Sequence, residues 1–339
     1  MSSVLELFDT KKIVDYLRDR QYPAMLGEEL FPERKEDDLE FDILREGSKL
    51  PVVASVHAFD TEAEIGSREA EEMAIEACLI KRKMQLKEKE IIKLEHPRTE
   101  KELKQLVRRV YSRDIDTLVM GIKARIEVMR MEIVSNGTVT LNENGIHATI
   151  SYGVPAEHKA ANVDWDSANS DPIGDITAWV NTLDVKPSRA LTSTTVLAKI
   201  LRNANVINAL FGRNSTRIAT VGELNTYLSS LGLPTITTYD EKYRKQNADG
   251  TYTKLRYLPE NAFVMLPGYA LGETLYGPTA EEIRLTNDPT TEIVEVGKIL
   301  AMVYDEGKDP VATWEKAVAS AVPTCPYADE LFQAKIALS

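Results

Sequence analysis

The chain has 339 residues, of which 43% are hydrophobic, and a formal net charge of -12. This length can bury a sizeable core in two ordinary domains or one elaborate one, so wholesale disorder is excluded. The acidic balance argues against a dedicated nucleic-acid-binding protein, because neutralising phosphates requires a surplus of Lys and Arg. The two cysteines, Cys78 and Cys325, form no CxxC pair, which favours a reducing compartment.

Residues 1–38 are typical of an arm. Apolar positions at helical spacing predict one or two short amphipathic helices, and Pro23 and Pro32 then break the chain into an extended segment. The segment is charged throughout and has no apolar core of signal-peptide length. Nowhere does the chain approach the roughly 18 to 20 apolar residues of a membrane span. We therefore expect a cytoplasmic protein without membrane contact.

A charged segment follows the arm. LEFDILREG at 39–47 and LPVVASVHAFD at 50–60 predict two strands joined by a turn. Acidic residues then come first and basic residues later, and the apolar spacing at 69–80 predicts a weakly amphipathic helix. Because its apolar content is too thin for deep burial, we expect residues 60–80 to protrude and to contact another chain.

The stretch from Thr99 to Ile133 contains no proline and predicts one helix of roughly 50 Å. Pro97 closes off a predicted strand before this helix, and Thr99 is placed as its N-cap with Glu102 at the capping-box position. Asn136-Gly137 is placed as its left-handed end. Apolar residues in steps of three and four, among them Leu118 and Ile122, form one stripe, which we interpret as a core face with polar residues elsewhere. A coiled coil is the alternative, although the steps drift from a heptad seam.

The rest of the chain predicts a hairpin, a lobe and a set of returning strands. GTVTLNENGIHATISYGVP at 137–155 alternates as strand, turn and strand, and residues 156–174 read as a polar loop anchored by Trp165. Helices and strands alternate between 171 and about 284, and one helix has Thr220 as its N-cap with Glu223 three residues on. They predict a self-contained α/β lobe. The final stretch predicts further strands and an apolar tail strand.

No motif for catalysis is present. The sequence has no P-loop, GxGxxG turn, HExxH or GxSxG elbow. Its four histidines have no metal-ligand spacing, and the paired acids of its loops are typical of solvated surface. We therefore predict no catalytic, cofactor-binding or metal-binding residue. An α/β enzyme with an unrecognised site in the lobe at 171–284 is an alternative.

Several segments, in order over nearly the whole chain, resemble the phage major capsid protein E family, the lambda-type major capsid proteins of the Hong Kong 97-type fold. The hairpin SNGTVTLNENGIHATISYGVP directly follows the long helix, and DPIGDITAWV follows Trp165. LGLPTITTYDEKYR precedes YLPENAFVMLPG, and the chain closes on VPTCPYADELFQAKIAL. Each segment alone is a weak signal, whereas the ordered set is fairly specific.

The resemblance implies an α+β tailed-phage capsid fold and names its parts. These are an N-terminal arm at 1–38; strands and an extended loop at 39–96 with its tip at about 60–80; a peripheral domain at 97–165 with a spine helix at 98–135 and a hairpin at 137–154; an axial domain at 171–284; and a return to the peripheral domain with a C-terminal strand at 285–339.

The resemblance also implies a structural protein without catalysis or cofactors. Hexamers and pentamers would form an icosahedral shell around double-stranded DNA in the virion, after assembly in the host cytoplasm with a scaffolding protein, a portal and in some cases a decoration protein. An encapsulin-like compartment shell is an alternative with the same fold. The acid-then-base segment suits contact with a neighbouring copy. The predicted intersubunit residues are Glu62, Glu64, Arg68, Glu69, Glu72, Lys81 and Arg82.

Overall fold

The computed structural model describes residues 4–46, 70–143, 145–213, 215–247, 249–289, 293, 295–308 and 311–338. The chain divides into two compact units. The first unit contains Met1–Phe41, Ile75–Glu127 and Glu273–Pro323, and the second contains Asp42–Ala74, Val128–Gly272 and Thr324–Ser339. Each unit is built from segments far apart in sequence, so long-range packing holds it together.

Most helices begin where a side chain can satisfy free backbone N–H groups. Oδ1 of Asp171 accepts from the N–H of Gly174 at 3.1 Å, and Thr220 forms a full capping box with Glu223, as predicted. The helices are α1 (Val4–Leu7), α2 (Thr10–Asp19), α3 (Leu26–Leu30), α4 (Glu88–Glu95), α5 (Glu100–Arg109), α6 (Asp116–Asn136), α7 (Pro172–Thr182), α8 (Thr194–Arg202), α9 (Ala204–Phe211), α10 (Val221–Ser230) and α11 (Ala280–Thr286).

Within the ranges that the structure describes, the strands form two five-stranded sheets and three two-stranded ribbons. They are β1 (Glu33–Lys35), β2 (Glu40–Glu46), β3 (Ala70–Glu76), β4 (Cys78–Leu86), β5 (Thr138–Glu143), β6 (Ile146–Ser151), β7 (Lys159–Val163), β8 (Arg189–Thr192), β9 (Thr235–Thr238), β10 (Lys242–Gln246), β11 (Tyr252–Arg256), β12 (Ala262–Leu266), β13 (Thr274–Gly277), β14 (Leu300–Lys308), β15 (Val311–Pro323) and β16 (Phe332–Ile336).

The sheet of the first unit is organised around β15. This 13-residue strand pairs antiparallel with β13 and β14 along one edge and with β4 along the other. Strand β1 adds parallel to β13. Small and branched side chains between Ala317 and Val322 are almost all completely buried, so β15 is the central strand of this unit.

The long helix is confirmed as a continuous helical run from Glu100 to Asn136, interrupted by a π-helical turn at Val110–Ile115. Oγ1 of Thr99 accepts from the N–H of Glu102 at 3.2 Å, as expected of its N-cap. The run ends before Gly137, whose φ of 71° is the left-handed conformation that glycine adopts readily. The predicted starting and ending signals are therefore both correct.

The expectation of a single buried stripe holds only for part of this run. Leu118 and Ile122 are 0% exposed, as predicted. Further along, however, Glu127 and Arg130 are also buried, so the polar face is not solvated there. Oε1 of Glu127 accepts from the backbone N–H of Gly27 at 2.9 Å, which offsets part of the cost of burying a carboxylate. The prediction that the polar faces of the helix contact water is therefore wrong near Glu127 and Arg130, because other segments cover those faces.

The second unit contains the mixed sheet β7-β16-β12-β8-β9. Its fully buried strand β12 lies between β16 and β8, both antiparallel to it. Trp165 anchors the core, as predicted, with its indole N–H donating to Oδ2 of Asp175 at 2.8 Å and its ring 5.4 Å from that of Phe263. Helices α7, α8, α9 and α10 supply further apolar side chains to this core.

Three predicted elements are wrong. The helix expected at 69–80 is instead the strand pair β3 and β4, and the strand expected before Pro97 is the helix α4. The loop expected at 156–174 contains β7, which pairs parallel with β16. In each strand the partner is distant in sequence, so pairing overrides a weak local preference. The predicted strand at 50–60 lies outside the described residues.

The domain boundaries implied by the resemblance differ from the two units. The hairpin formed by β5 and β6 is present as predicted and belongs to the second unit together with Val128–Gly272. The C-terminal strand β16 also belongs there, since it pairs with β12 and β7. Its Gln333 donates to the carbonyls of Ile133 and Val134 at 2.8 and 2.9 Å.

Candidate assembly surfaces

The predicted intersubunit residues fall into two groups. Glu62, Glu64, Arg68 and Glu69 lie outside the described residues. Glu72 belongs to β3, which pairs with β2 in a two-stranded ribbon, and Lys81 and Arg82 belong to β4. The structure therefore places three of the seven residues on defined strands.

The basic strand β4 presents its two faces to different surroundings. Its residues Cys78 to Leu86 run antiparallel to β15, with Lys81 opposite Val318 and Lys83 opposite Lys316. Because side chains alternate along a strand, Lys81 and Lys83 share one face, and both are exposed. Residues 78–80, expected to make few contacts with their own subunit, are in fact paired with β15, so that part of the expectation is wrong.

On this exposed face, one carboxylate of α11 lies close to two lysines. Oε1 of Glu281 accepts from Nζ of Lys316 and lies 3.4 Å from Nζ of Lys81. Burial by itself raises the pKa of Glu281, but the hydrogen bond from Lys316 and the positive charges of both lysines outweigh it and lower the pKa. Lys81 is therefore ion-paired within its own subunit.

The neighbouring basic residues of β4 are also partly engaged. Nζ of Lys83 lies 4.1 Å from the centre of the Trp314 ring, a cation–π distance, and 3.7 Å from Oε2 of Glu306. The side chain of Arg82 lies against Gly121 of α6, with its Cδ 3.2 Å from the position that a Cβ would take there. These contacts orient the basic row and leave its outer surface accessible.

The outer edge of β4 carries no second strand among the described residues. Within the part of the chain that the structure describes, β4 pairs with β15 alone, so no strand occupies its other edge. An unpaired strand edge presents a row of backbone N–H and C=O groups that favours addition of a strand from another chain. Its exposed Leu79, Lys81 and Lys83 add an apolar contact and positive charge to that edge.

The predicted arm packs on its own subunit through a carboxylate that sequence reasoning missed. Asp116, at the first position of α6, accepts from the hydroxyl of Tyr22 at 2.9 Å, from that of Tyr16 at 3.1 Å and from the guanidinium of Arg20 at 3.0 Å. Burial and the Asp116 carboxylate raise the pKa of Tyr22 well above its usual range. The spacing of Tyr16, Arg20 and Tyr22 gave no signal of a shared partner 94 to 100 residues away.

A cavity of about 360 Å³ lies beside this cluster in the first unit. Four basic side chains line it, but each pairs with a carboxylate, so the cavity carries little net charge. The four pairs are Arg18 with Asp15, Arg20 with Asp116, Lys123 with Glu28, and Lys298 with Glu33.

Neither a metal site nor a membrane span appears in the described parts of the chain. No group of three or more His, Cys, Asp or Glu residues there has the geometry to hold a metal ion. Among the helices that the structure describes, none is both long enough and apolar enough to cross a bilayer.

Solved structures share this fold. A crystal structure named as a prophage capsid protein from E. coli CFT073 is 17% identical, with a TM-score of 0.65 over 97% of this chain and 99% of that one. A phage-related protein from Bordetella bronchiseptica RB50 is 12% identical, with a TM-score of 0.50 over 99% of this chain and 98% of that one. No protein with a curated description matches the chain.

The match to a protein family is more specific than these structural likenesses. Residues 9–336 match the family described as phage major capsid protein E, which is nearly the whole chain. The predicted α+β tailed-phage capsid fold and the predicted family are confirmed. The chain therefore belongs to the phage major capsid protein E family and is a major capsid subunit, a component of the virion that self-assembles into its shell.

Proposed function

We propose that copies of this chain assemble as hexamers and pentamers into an icosahedral shell that encloses double-stranded DNA. The observation that carries this proposal is the edge of β4 that no described strand pairs, together with its exposed basic row. A segment of a neighbouring copy that adds to this edge would gain backbone hydrogen bonds that it lacks alone. The acidic residues Glu62, Glu64, Glu69 and Glu72 have the charge that complements Lys81, Arg82 and Lys83.

In this proposal the parts of the chain have separate roles. Residues 1–38 act as an arm, although α2 also packs on its own subunit. Residues 39–96 form an extended loop, with a tip that ends before β4 begins at Cys78. Residues 97–165 and 285–339 supply the peripheral domain, and residues 171–284 supply the axial domain that meets its copies at the five-fold and six-fold axes.

The remaining partners follow from the same proposal. A scaffolding protein guides assembly in the host cytoplasm, a portal provides the opening for DNA, and a decoration protein can cover the finished shell. The protein carries out no catalysis and reads no DNA sequence. Its net charge of -12 supports this role, because a shell that bound DNA tightly would hinder packaging and release.

Electron microscopy of the overexpressed protein, alone and with a scaffolding protein, tests the proposal. We expect closed particles with hexameric and pentameric units. A chain that stays monomeric at high concentration under both conditions would contradict it. Closed particles that copurify with an enzyme and contain no DNA in infected cells would favour an encapsulin-like compartment instead, and a monomer with catalytic turnover would favour the α/β enzyme.

Charge reversal at Glu62 and Glu64 tests the proposed contact with β4. We expect Glu62→Lys with Glu64→Lys to reduce the yield of shells about tenfold or more, because two like-charge contacts repel at each interface. Adding Lys83→Glu, on the exposed face of β4, should restore part of the yield. The yield is measured by sedimentation and electron microscopy.

A matched control makes the same change of net charge elsewhere. Glu157 and Glu241 are exposed acids of the second unit, and Glu157→Lys with Glu241→Lys should leave the yield of shells near that of the natural chain. Normal assembly of the Glu62→Lys, Glu64→Lys variant would show that these residues do not form the contact. Loss of yield only in the control would indicate that Glu157 and Glu241 of the second unit, and not Glu62 and Glu64, contribute to the contact between copies.

A further inference from the structure

A buried carboxyl on the inner face of the first unit's sheet has no function in the proposed assembly. Glu315 of β15 is only 2% exposed. Its Oε1 has no hydrogen-bond partner in the described part of the chain. Taking an ionised carboxylate out of water without a partner is costly, so proteins seldom retain such a group unless it is held neutral.

The elements packed against Glu315 supply more negative than positive charge. Asp114 faces it from the π-helical turn, Glu90 from α4 and Arg109 from α5. Nη2 of Arg109 is already bound to Oε1 of Glu90 at 2.9 Å, so the positive charge of Arg109 is shared between these carboxylates. Within the sheet itself, two more charged residues lie on the same face as Glu315. Arg82 of β4 is opposite Ala317, and Asp305 of β14 is opposite Thr313.

The element that carries Asp114 is the irregular part of the long helical run. The π-helical turn Val110–Ile115 separates α5 from α6 and packs on β15. Single π-helical turns within α-helices are rare and frequently occur at functional sites. Asp114 is half-buried there, and burial raises the pKa of its carboxyl while Arg109 and Arg113 oppose the rise.

We propose that Glu315 is a proton-controlled joint between β15 and the π-helical turn, holding the turn against the sheet when neutral and loosening it when ionised. The neutral carboxyl adds no repulsion to Asp114 and Glu90. Ionisation places a third negative charge beside them in a poorly solvated space, where repulsion is strong. The effect belongs to the single subunit and goes beyond its role in building a shell.

The direction of the pH dependence follows from the two states of the chain. Burial, reinforced by Asp114 and Glu90, raises the pKa of Glu315 to about 8 in the folded protein. A glutamate in an unfolded chain has a pKa of about 4.3. Between these values the folded chain keeps a proton that the unfolded chain has released, so its stability falls as the pH rises and levels off above the folded pKa.

The variant Glu315→Gln tests the joint in the full-length subunit. We expect the unfolding equilibrium constant of the natural chain to rise about tenfold per pH unit from this one group between about pH 5.5 and about pH 7.5. The variant should lack that contribution, because its amide does not titrate. Glu88→Gln, at an exposed position of α4, is the control and should keep the full pH dependence.

Two further measurements decide the proposal even if the variant does not fold. The natural chain at pH 7 should show the infrared carbonyl band of a protonated carboxylic acid, titrating with a midpoint near 8. Amide hydrogen exchange at residues 110–115 should accelerate across the same midpoint beyond the intrinsic base catalysis. Absence of the protonated band at pH 7, or equal pH dependence in the natural chain and Glu315→Gln, would overturn the proposal.

Discussion

Replacing Leu118 and Ile122 together by Asn is expected to abolish the folded state of the first unit. Both side chains are 0% exposed on α6. Truncating a buried aliphatic side chain typically costs about 2 to 5 kcal/mol, and an unpartnered buried amide adds about 1 to 3 kcal/mol. Two such sites approach the roughly 5 to 15 kcal/mol by which a domain is stable. Circular dichroism and thermal unfolding measure the loss.

Thr117→Asn is the matched control, because Thr117 is exposed and adjacent on the same helix. It should change the free energy of unfolding by no more than about 0.5 kcal/mol, as is usual for surface positions. A soluble double variant at Leu118 and Ile122 with an unchanged unfolding transition would show that this stripe is exposed in the free subunit and serves as a contact between copies.

Gly272→Ala is expected to disrupt the second unit at the point where the C-terminal segment crosses it. A Cβ at Gly272 would lie 2.1 Å from the backbone oxygen of Thr324 and 3.0 Å from Cδ of Pro326. Backbone atoms cannot move aside as a flexible side chain can, so the segment that leads into β16 must shift. Overpacking of this kind costs about 1 to 3 kcal/mol and occasionally more. Thermal unfolding of the purified subunit should show a melting temperature several degrees lower.

Gly222→Ala makes the same chemical change, but we do not expect it to lower the stability of the second unit. Gly222 lies in α10, and a Cβ there would meet no atom within 4 Å. Alanine favours a helix over glycine by up to about 1 kcal/mol, so this variant should be unchanged or slightly more stable. A Gly272→Ala variant as stable as Gly222→Ala would show that Thr324 is not held against this position.

Elements defined by neighbouring residues could be predicted well. The N-cap of Thr99, the capping box of Thr220 and Glu223, and the left-handed Gly137 each depend on contacts within a few residues. The β5–β6 hairpin was recognised for the same reason, since its turn and alternation are local. These local predictions hold in the folded protein because the side chains and turns satisfy backbone groups of their own segment, wherever that segment is placed.

Elements defined by distant partners could not be predicted in this way. The stretch 69–80 has helical spacing, yet β4 became a strand because β15, more than 220 residues away, offers it a full ladder of hydrogen bonds. Asp116 was likewise missed, since its three donors come from α2 and the segment after it. The contact of Lys81 with Glu281 of α11 was missed as well, while its predicted contact with a neighbouring copy stays a prediction.

By itself the sequence determined the family, the capped helices, the hairpin and the absence of recognisable catalytic motifs, because these depend on residue identity and short spacing. Only the tertiary structure decided which basic residues of β4 are already paired, which of its edges β15 occupies, and that Glu315 is buried beside Asp114 and Glu90. Burial and strand pairing depend on segments brought together from across the chain, and the local spacing of residues does not indicate which segments those are.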